Sequence, residues 1–245
     1  MKCLLVTSSL TFVPENYDDF VVAMLARQEV TGLLELQNRD PGFLAKAFAL
    51  ILTGAGPRMG LQIYRNWFGP SSVRREKFCV EKQKSFLRTQ NLHDPATLEW
   101  IRQQNFDLIL NARTRTIFKK VVLNMVPLGC LNIHHGLLPE QRGLMCDFWA
   151  HLDGSPAGFS VHVMTPKLDD GPILQVSEVK TSRKNYLESL RAGARQEAII
   201  CAELLAYIAR NGIPEGRPNR SENAIYRRNR GLKDFYRMAF KGIKR

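Results

Sequence analysis

Paired cysteines and long apolar runs are both missing from this sequence of 245 residues. Its five cysteines form neither a C-x-x-C pair nor any other spacing typical of metal ligands. This argues against a disulfide-rich secreted scaffold and against a bound metal, and it favours a reducing compartment. The apolar stretch over residues 47–52 is far shorter than the ~20 residues that span a bilayer, and no signal peptide is visible at Met1. We therefore expect a soluble cytoplasmic protein with no metal and no membrane contact.

Strands and helices alternate along most of the chain. This pattern predicts an α/β fold, with an open, mostly parallel, Rossmann-like sheet and helices on both faces. Strands are predicted over residues 2–8, 32–36 and 107–110. Asp94 precedes Pro95 at the start of one helix, and the clearest helix extends from Asn185 to Arg210. A hydrophobic content of 44% is enough to bury a full core.

The most informative segment begins with Leu131-Asn132-Ile133-His134, which is predicted to be the end of an apolar strand. Because strand side chains alternate between two faces, Asn132 and His134 project to the same side. An amide and an imidazole that converge on one carbonyl can donate to a developing oxyanion and move a proton. The turn-rich segment after this strand is of the kind that often places backbone against a ligand.

A second informative segment starts with an alternating strand over residues 158–164 and continues into a tight acidic turn at Asp169 and Asp170. Another strand follows over residues 173–179. A carboxylate in this turn could lie beside His134, fix its orientation and raise its basicity. His162 alternates with the core-facing side of its strand and is interpreted as a structural histidine.

These residues carry a resemblance to a known family. LNIHHGLLPEQRG, followed by GFSVHVMTPKLDDGPIL, resembles the folate-dependent formyltransferases, which share an N-x-H, a LLP-x-x-x-G and a later L-D-x-G. The resemblance covers roughly residues 100–180. It implies that Asn132, His134 and Asp169 form a catalytic triad, and that 10-formyltetrahydrofolate donates its formyl group to an amine. Gly136 departs from the family pattern, in which a serine is common at this position.

By the same resemblance, the folate lies across the loops 111–118 and 167–170, where backbone groups hold its pterin. Eight residues are expected to contact it: Arg113, Arg115, Thr116, Phe118, Leu138, Gly143, Lys167 and Asp170. Arg113 and Arg115 have an alternative role, since they could instead bind a phosphate of the acceptor.

Residues 1–212 are predicted to form the catalytic domain. Within it, residues 53–85 fit the alternation poorly and are interpreted as an insertion that lines the acceptor side. The glycines from Gly54 to Gly60 lack the spacing of a phosphate-binding loop and are taken as a flexible turn. Residues 213–245 are predicted to be a basic and aromatic extension docked on the core.

The distribution of charge along the chain bears on the identity of the amine acceptor. Of the formal net charge of +12, residues 213–245 contribute +7, from ten Lys and Arg against three Asp and Glu. A basic tail suits nucleic acid, but the tRNA enzymes of the resembled family carry a sizeable β-rich C-terminal domain, for which about 33 residues leave no room. A nucleic-acid partner is thus disfavoured. Glycinamide ribonucleotide is a weaker candidate, because Thr7-Ser8-Ser9-Leu10 replaces a glycine- and asparagine-bearing turn.

The preferred hypothesis is an N-formyltransferase that acts on a primary amine of a small molecule, such as a nucleotide-linked amino sugar, whose diphosphate could meet the positive segment 58–75. Three alternatives stay open: a formyltetrahydrofolate hydrolase with the same triad, an enzyme like methionyl-tRNA formyltransferase, and a non-catalytic basic protein that binds RNA. The oligomeric state is left open.

Overall fold

Nine strands run through the part of the chain that the structure describes, a computed structural model covering residues 1–38, 40–180 and 184–244. Their bounds are β1 Cys3–Ser8, β2 Val30–Leu36, β3 Ser85–Thr89, β4 Leu108–Ala112, β5 Cys130–His134, β6 Gln141–Gly143, β7 Gly158–Val163, β8 Ile173–Glu178 and β9 Ile225–Arg227.

The helices include nine of α type among these described residues. Their bounds are α1 Asp18–Leu25, α2 Pro41–Leu52, α3 Pro57–Phe68, α4 Ser71–Glu81, α5 Pro95–Gln104, α6 Lys120–Leu123, α7 Cys146–Asp153, α8 Tyr186–Asn211 and α9 Leu232–Phe240. Asn185 caps α8, since its side chain accepts a hydrogen bond from the backbone of Glu188. Prolines open α2, α3 and α5, where the missing N–H costs nothing.

Seven strands form one sheet in the order β3-β2-β1-β4-β5-β7-β8, and β6 pairs with β9 in a small separate sheet. The first five strands of the large sheet are parallel. Strand β7 runs antiparallel to β5, and β8 runs antiparallel to β7. Helices pack on both faces. This confirms the predicted α/β class and its mostly parallel sheet.

Alternation along β1 shows how the sheet divides the core. Cys3 and Leu5 belong to the larger cluster, together with residues of α1, α7 and α8. Leu4 and Val6 belong to a smaller cluster on the opposite face, which α5 and α6 cover. Buried side chains on both faces of a central strand explain why it is an unbroken apolar run.

The segment 53–85, predicted as an insertion, is instead part of the connection from β2 to β3. It holds α3 and α4 and leads into β3, which is the edge strand of the large sheet. Arg75 in α4 is fully buried and pairs with Asp18 and Glu35, at 2.8 and 2.9 Å. These ion pairs tie α4 to α1 and to β2. The turn before α3 contains Gly54 at a positive φ of 67°.

The chain after residue 212 lies against the core up to Lys244, the last residue described in this extension. Phe235 and Met238 of α9 are buried in the larger cluster, and the Phe235 ring lies 5.1 Å from that of Phe148.

All five cysteines, each within the described part of the chain, are buried and free. Among the residues described, no helix is long and apolar enough to cross a membrane. No group of three or more His, Cys, Asp and Glu side chains in these same residues could hold a metal ion.

Candidate active site

The site is built where β4, β5 and β7 lie side by side. In the register of these strands, Asn132 of β5 stands opposite Asn111 of β4 and opposite His162 of β7. His134 stands opposite Ser160. Leu131 and Ile133 point into the larger core cluster, so alternation sends Asn132 and His134 to the other face of the sheet, as their spacing predicts.

Asp169 reaches this face from the turn between β7 and β8. Its Oδ1 lies 3.4 Å from Nδ1 of His134 and 3.8 Å from Nε2 of His162. The residue has a positive φ of 50°, a conformation that a non-glycine residue adopts only when its surroundings hold it. Two side chains do so: Arg142 and Asn219 both donate to the Asp169 carbonyl, at 2.6 and 2.8 Å.

The imidazole of His134 is held from both nitrogens. Nε2 lies 2.7 Å from the carbonyl oxygen of Gln141 and therefore carries a proton, because a carbonyl only accepts. Nδ1 faces the carboxylate of Asp169. Burial alone would lower the pKa of His134, but the hydrogen bond that the ring donates to Asp169, together with the adjacent Cys146, raises it to about 10. The ring is therefore an imidazolium at neutral pH.

Burial acts in the opposite sense on the carboxyl of Asp169. Burial would raise the pKa of this group, yet the hydrogen bond and charge of His134 hold it below its ordinary value. Asp169 is thus an ionised carboxylate beside a protonated imidazole. Each partner keeps the other charged, which is the arrangement expected of an orienting carboxylate.

Gly136, the one departure from the family pattern, is explained by the same imidazole. A Cβ at this position would lie 2.7 Å from Cβ of Cys146 and 2.9 Å from both the Gln141 oxygen and His134 Nε2. A serine would therefore displace these neighbours. With glycine, the Gln141 carbonyl takes the hydrogen bond of His134 directly.

A chain of hydrogen bonds fixes the side-chain amide of Asn132. The hydroxyl of Thr114 donates to Oδ1 of Asn111, and Nδ2 of Asn111 donates to Oδ1 of Asn132, both at 2.7 Å. Nδ2 of Asn132 lies 3.1 Å from Nε2 of His162. The amide oxygen of Asn132 is thereby occupied, while its NH₂ group points into the site with a second N–H beyond the one aimed at His162.

His162 was expected to be a structural core histidine, and it is indeed buried, but it also lies beside Asn132 and Asp169. Its Nδ1 lies 2.9 Å from the backbone carbonyl of Val163 and must donate to it, which leaves Nε2 as the acceptor for Asn132. Burial lowers the pKa of His162 to about 4, so the ring is neutral and keeps this acceptor. The histidine is part of the site.

Arg113 does not lie where a folate contact would need it. Its guanidinium is buried and pairs with Glu197 and Asp147, at 3.4 and 3.8 Å. It also stacks over the ring of Tyr17, 5.0 Å from the ring centre. The side chain thus joins the loop after β4 to α8, on the face of the sheet opposite the site. Its backbone, at a positive φ of 56°, remains part of the predicted loop.

The other predicted folate contacts fall into three groups. Phe118 and Leu138 are buried, and Phe118 packs in the smaller core cluster. Lys167 is exposed and pairs with Asp170 at 2.8 Å, at the rim of the Asp169 turn. Two of the remaining three residues lie in the loop after β4: Arg115, whose guanidinium lies 4.8 Å from the Phe43 ring centre, and the half-buried Thr116. Gly143 ends β6 at a positive φ of 85°.

The segment 58–75, expected to meet an acceptor diphosphate, lies mainly in α3 and α4. Arg75 is committed to Asp18 and Glu35, and Arg74 also lies 3.3 Å from Asp18. These two arginines serve the fold. The segment therefore gives no support for a phosphate site formed by them.

Comparison with known proteins now bears on this site. The sequence profile of a family described as formyl transferase matches residues 65–202, which is more than half of the chain and includes Asn132, His134 and Asp169. The chain belongs to the formyl transferase family. The predicted family is thereby confirmed.

Curated relatives of this formyl transferase chain include methionyl-tRNA formyltransferases. That of Lachnospira eligens is 34% identical over 105 residues, which are 42% of this chain and 33% of the relative. That of Borreliella afzelii is 31% identical over 171 residues, 66% of this chain and 54% of the relative. The chain thus matches between a third and about half of the length of these relatives.

Solved structures share the fold of this chain at low sequence identity. A sugar N-formyltransferase from Shewanella sp. superposes with a TM-score of 0.59 at 19% identity. The superposition covers 97% of this chain and 86% of the Shewanella chain. Glycinamide ribonucleotide transformylase 1 from Symbiobacterium toebii gives a TM-score of 0.59 at 18% identity. This superposition covers 85% of this chain and 87% of the Symbiobacterium chain. Both confirm the fold.

Proposed function

We propose that this chain transfers the formyl group of 10-formyltetrahydrofolate to a primary amine of a small molecule, and that Asn132, His134 and Asp169 are its catalytic residues. The observation that carries the proposal is their convergence. Asp169 Oδ1 lies 3.4 Å from His134 Nδ1, and the Asn132 amide is held on the same face through His162, which lies 3.8 Å from the same carboxylate oxygen.

Each of the three residues has a role that its surroundings support. The free N–H of Asn132 donates to the oxygen of the attacked formyl carbonyl, where negative charge develops. The imidazolium of His134 stabilises the same charge. Asp169, ionised beside it, accepts the proton that the attacking amine loses. The new C–N bond forms to the amine as the bond to the folate nitrogen breaks. That nitrogen takes up a proton from the imidazolium of His134, which regains one from the protonated Asp169.

The surroundings of Asn132 fit a formyl donor. The side chain of Asn132 is only partly buried, and its uncommitted N–H needs an acceptor that a ligand carbonyl can supply. In this proposal, backbone groups of the loops after β4 and β7 hold the pterin ring system of the folate. Arg115, Thr116 and Asp170 belong to these loops. The folate supplies the formyl carbonyl. The protein supplies the hydrogen-bond donors and the proton-transfer groups around it.

A nucleotide-linked amino sugar is our first candidate for the acceptor. The sugar N-formyltransferase from Shewanella sp. superposes on 97% of this chain, so the same arrangement of elements occurs in a protein named for a sugar substrate. The methionyl-tRNA formyltransferases are aligned over no more than 54% of their length in the two comparisons given above. This supports testing the small amine first and methionyl-tRNA beside it.

Release of tetrahydrofolate from 10-formyltetrahydrofolate tests the proposal. The assay is run without an amine and with nucleotide-linked amino sugars, glycinamide ribonucleotide or methionyl-tRNA. We expect release that depends on an amino sugar and yields its N-formyl product. Release without any amine would instead identify a hydrolase, and release that requires only methionyl-tRNA would reassign the acceptor. No release under any condition would refute the transferase proposal.

The Asn132→Ala variant links this activity to the site. Loss of an oxyanion donor commonly lowers kcat by roughly 10²–10³-fold, and we expect a loss of this size with the thermal unfolding midpoint little changed. An Asn124→Ala variant, altered at the residue that follows α6, serves as the control and should retain turnover. Turnover like that of the wild type in Asn132→Ala would remove Asn132 from the mechanism.

A further inference from the structure

Six large apolar side chains project from α2, α3 and α9 into solvent. Leu52 is 83% exposed and Phe240 is 89% exposed, values far above those expected for side chains that merely edge a core. We call the surface that they form the α2–α3–α9 face, and its defining residues are Phe48, Leu52, Leu61, Tyr64, Phe68 and Phe240.

The α2–α3–α9 face is continuous. The ring of Tyr64 lies 6.2 Å from that of Phe48 on α2 and 4.8 Å from that of Phe68 on α3. At Gly60 of α3 an added Cβ would lie 2.5 Å from the Ala47 carbonyl of α2, so the two helices are in close contact. The third helix joins at the end of α2, where the hydroxyl of Tyr236 donates to the carbonyl of Thr53.

The charge on this face has one sign. Residues 41–75 contain no Asp or Glu, whereas Lys46 of α2 and Arg58 and Arg65 of α3 are exposed. On α9, Lys233 and Arg237 are exposed. The one acid of that helix is Asp234, which is buried and paired with Arg228 at 2.9 Å. The face therefore combines protruding apolar groups with positive charge and no exposed carboxylate from these helices.

We propose that the α2–α3–α9 face binds the surface of a bilayer that contains anionic lipids. Protruding Leu and Phe side chains enter the boundary between headgroups and acyl chains, while Lys and Arg meet the negative headgroups. Each cation near such a surface strengthens binding by roughly fivefold. This inference goes beyond the proposed function and does not rest on it. It also revises the expectation of no membrane contact, because short apolar runs exclude a spanning helix and not a surface contact.

Other occupants fit the chemistry less well. A second copy docked through the same face would place cations against cations, since a two-fold contact brings the same patch of both copies together. RNA would satisfy the cations but would leave aliphatic side chains such as Leu52 without a partner. A peptide partner is usually bound in a groove, whereas Leu52 and Phe240 protrude.

Sedimentation with vesicles tests the proposal directly. The full chain is mixed with vesicles of phosphatidylcholine, with and without phosphatidylglycerol, at low and at high salt. We expect sedimentation with the vesicles that contain phosphatidylglycerol, little with phosphatidylcholine alone, and weaker binding at high salt, because the positive charges are then screened. Equal binding to both vesicle types, or no binding to either, would overturn the proposal.

Two sets of variants locate the contact. Leu52→Asp with Phe68→Asp removes apolar insertion, and Arg58→Glu with Arg65→Glu reverses charge. Since all four side chains are exposed, both double variants should fold, which circular dichroism verifies. Each should lower vesicle binding at least tenfold. Ile199→Asp is the matched control, because Ile199 is 60% exposed on α8, and it should bind as the wild type does.

Three outcomes of the variant experiment contradict the proposal. The first is vesicle binding that both double variants retain. The second is a wild-type dimer in solution that Leu52→Asp with Phe68→Asp converts to a monomer, since the face would then be an interface between copies. The third is RNA binding that Arg58→Glu with Arg65→Glu abolishes while vesicle binding is absent, since the cations would then serve a nucleic acid.

Discussion

A half-turn of the Asn132 amide would place an oxygen where the proposed mechanism needs an N–H. Asn111 opposes this half-turn, because its Nδ2 donates to Asn132 Oδ1 at 2.7 Å. In Asn111→Asp a carboxylate oxygen would face that oxygen, so the amide should rotate and give up its bond to His162. We expect kcat to approach that of Asn132→Ala, a loss of roughly 10²–10³-fold, with KM nearly unchanged. Steady-state kinetics measure both parameters.

Thr114→Val is the milder control for Asn111→Asp. It removes the hydroxyl that donates to Asn111 but leaves the contact between the two amides in place, and we expect only a few-fold loss of kcat. Equal kcat values for Asn111→Asp and the wild type would show that the orientation of this amide does not matter to turnover.

Asp169 is the main cause of the raised pKa of His134, with a further contribution from Cys146. In the wild type the pKa of His134 is raised from 6.5 to about 10, so the imidazolium contributes stability that is fully present below pH 6.5 and is lost as the pH rises through about 10. In Asp169→Asn the main cause of this raised pKa is removed while burial, which lowers it, remains. We expect the pKa of His134 to fall towards or below its ordinary value.

An NMR titration of the histidine rings measures this change, with the signal of His134 identified by its absence in His134→Gln. Turnover at alkaline pH gives a second readout, since the wild type should retain activity up to about pH 10. A His134 pKa that is the same in Asp169→Asn and the wild type would rule out the carboxylate as the cause.

Among the elements, α4 is attached to its neighbours by buried ion pairs as well as by apolar contact. Arg75 is fully buried and donates to Asp18 and Glu35, and its removal would take the buried cation away from two buried carboxylates. We expect Arg75→Leu to lower the free energy of unfolding by about 3–5 kcal/mol. Arg74→Leu is a matched control on the same helix, because Arg74 is exposed and its bond to Asp18 is worth less than about 1 kcal/mol. Urea unfolding measures both, and equal effects would contradict this account.

The same helix shows which elements the sequence can predict. Strand β1 and helix α8 follow from local pattern, as an unbroken apolar run and a capped amphipathic stretch. Helices α3 and α4 do not, because Gly60 is tolerated only through its close contact with Ala47 of α2, and Arg75 is buried only because Asp18 and Glu35 meet it. Both causes are tertiary contacts between residues distant in sequence.

The residues of the candidate site also fall into those that the sequence can predict and those that depend on tertiary contacts. The shared face of Asn132 and His134 was accessible from spacing, because it depends on one strand. The choice of Asp169 over Asp170 came from the resemblance to the formyltransferases. The place of His162 depends on the antiparallel register of β7 against β5, which a single sequence does not reveal. Arg113 turns to Glu197 across the other face, a pairing between residues 84 positions apart. Their catalytic roles remain predictions.

Across the whole molecule, the chain after residue 212 holds the turn that carries Asp169. Asn219 is buried, donates to the carbonyls of Asp169 and Gly171, and accepts from Arg142. Asn219→Ala removes these bonds where Asp169 is kept at a positive φ. We expect a loss of about 1–3 kcal/mol in the free energy of unfolding, and a fall in kcat of roughly tenfold to a hundredfold as the carboxylate shifts from His134.

Asn223→Ala is the control for this last change, since Asn223 is exposed four residues further along the same segment and should leave both quantities unchanged. The free energy of unfolding and kcat together distinguish a role of Asn219 in stability from a role in catalysis. A loss of stability with an unchanged kcat in Asn219→Ala would mean that Arg142 alone positions Asp169, because it donates to the same carbonyl at 2.6 Å. A fall in both would make the C-terminal segment part of the catalytic unit, since the geometry of the carboxylate would then depend on residues outside the seven-stranded sheet.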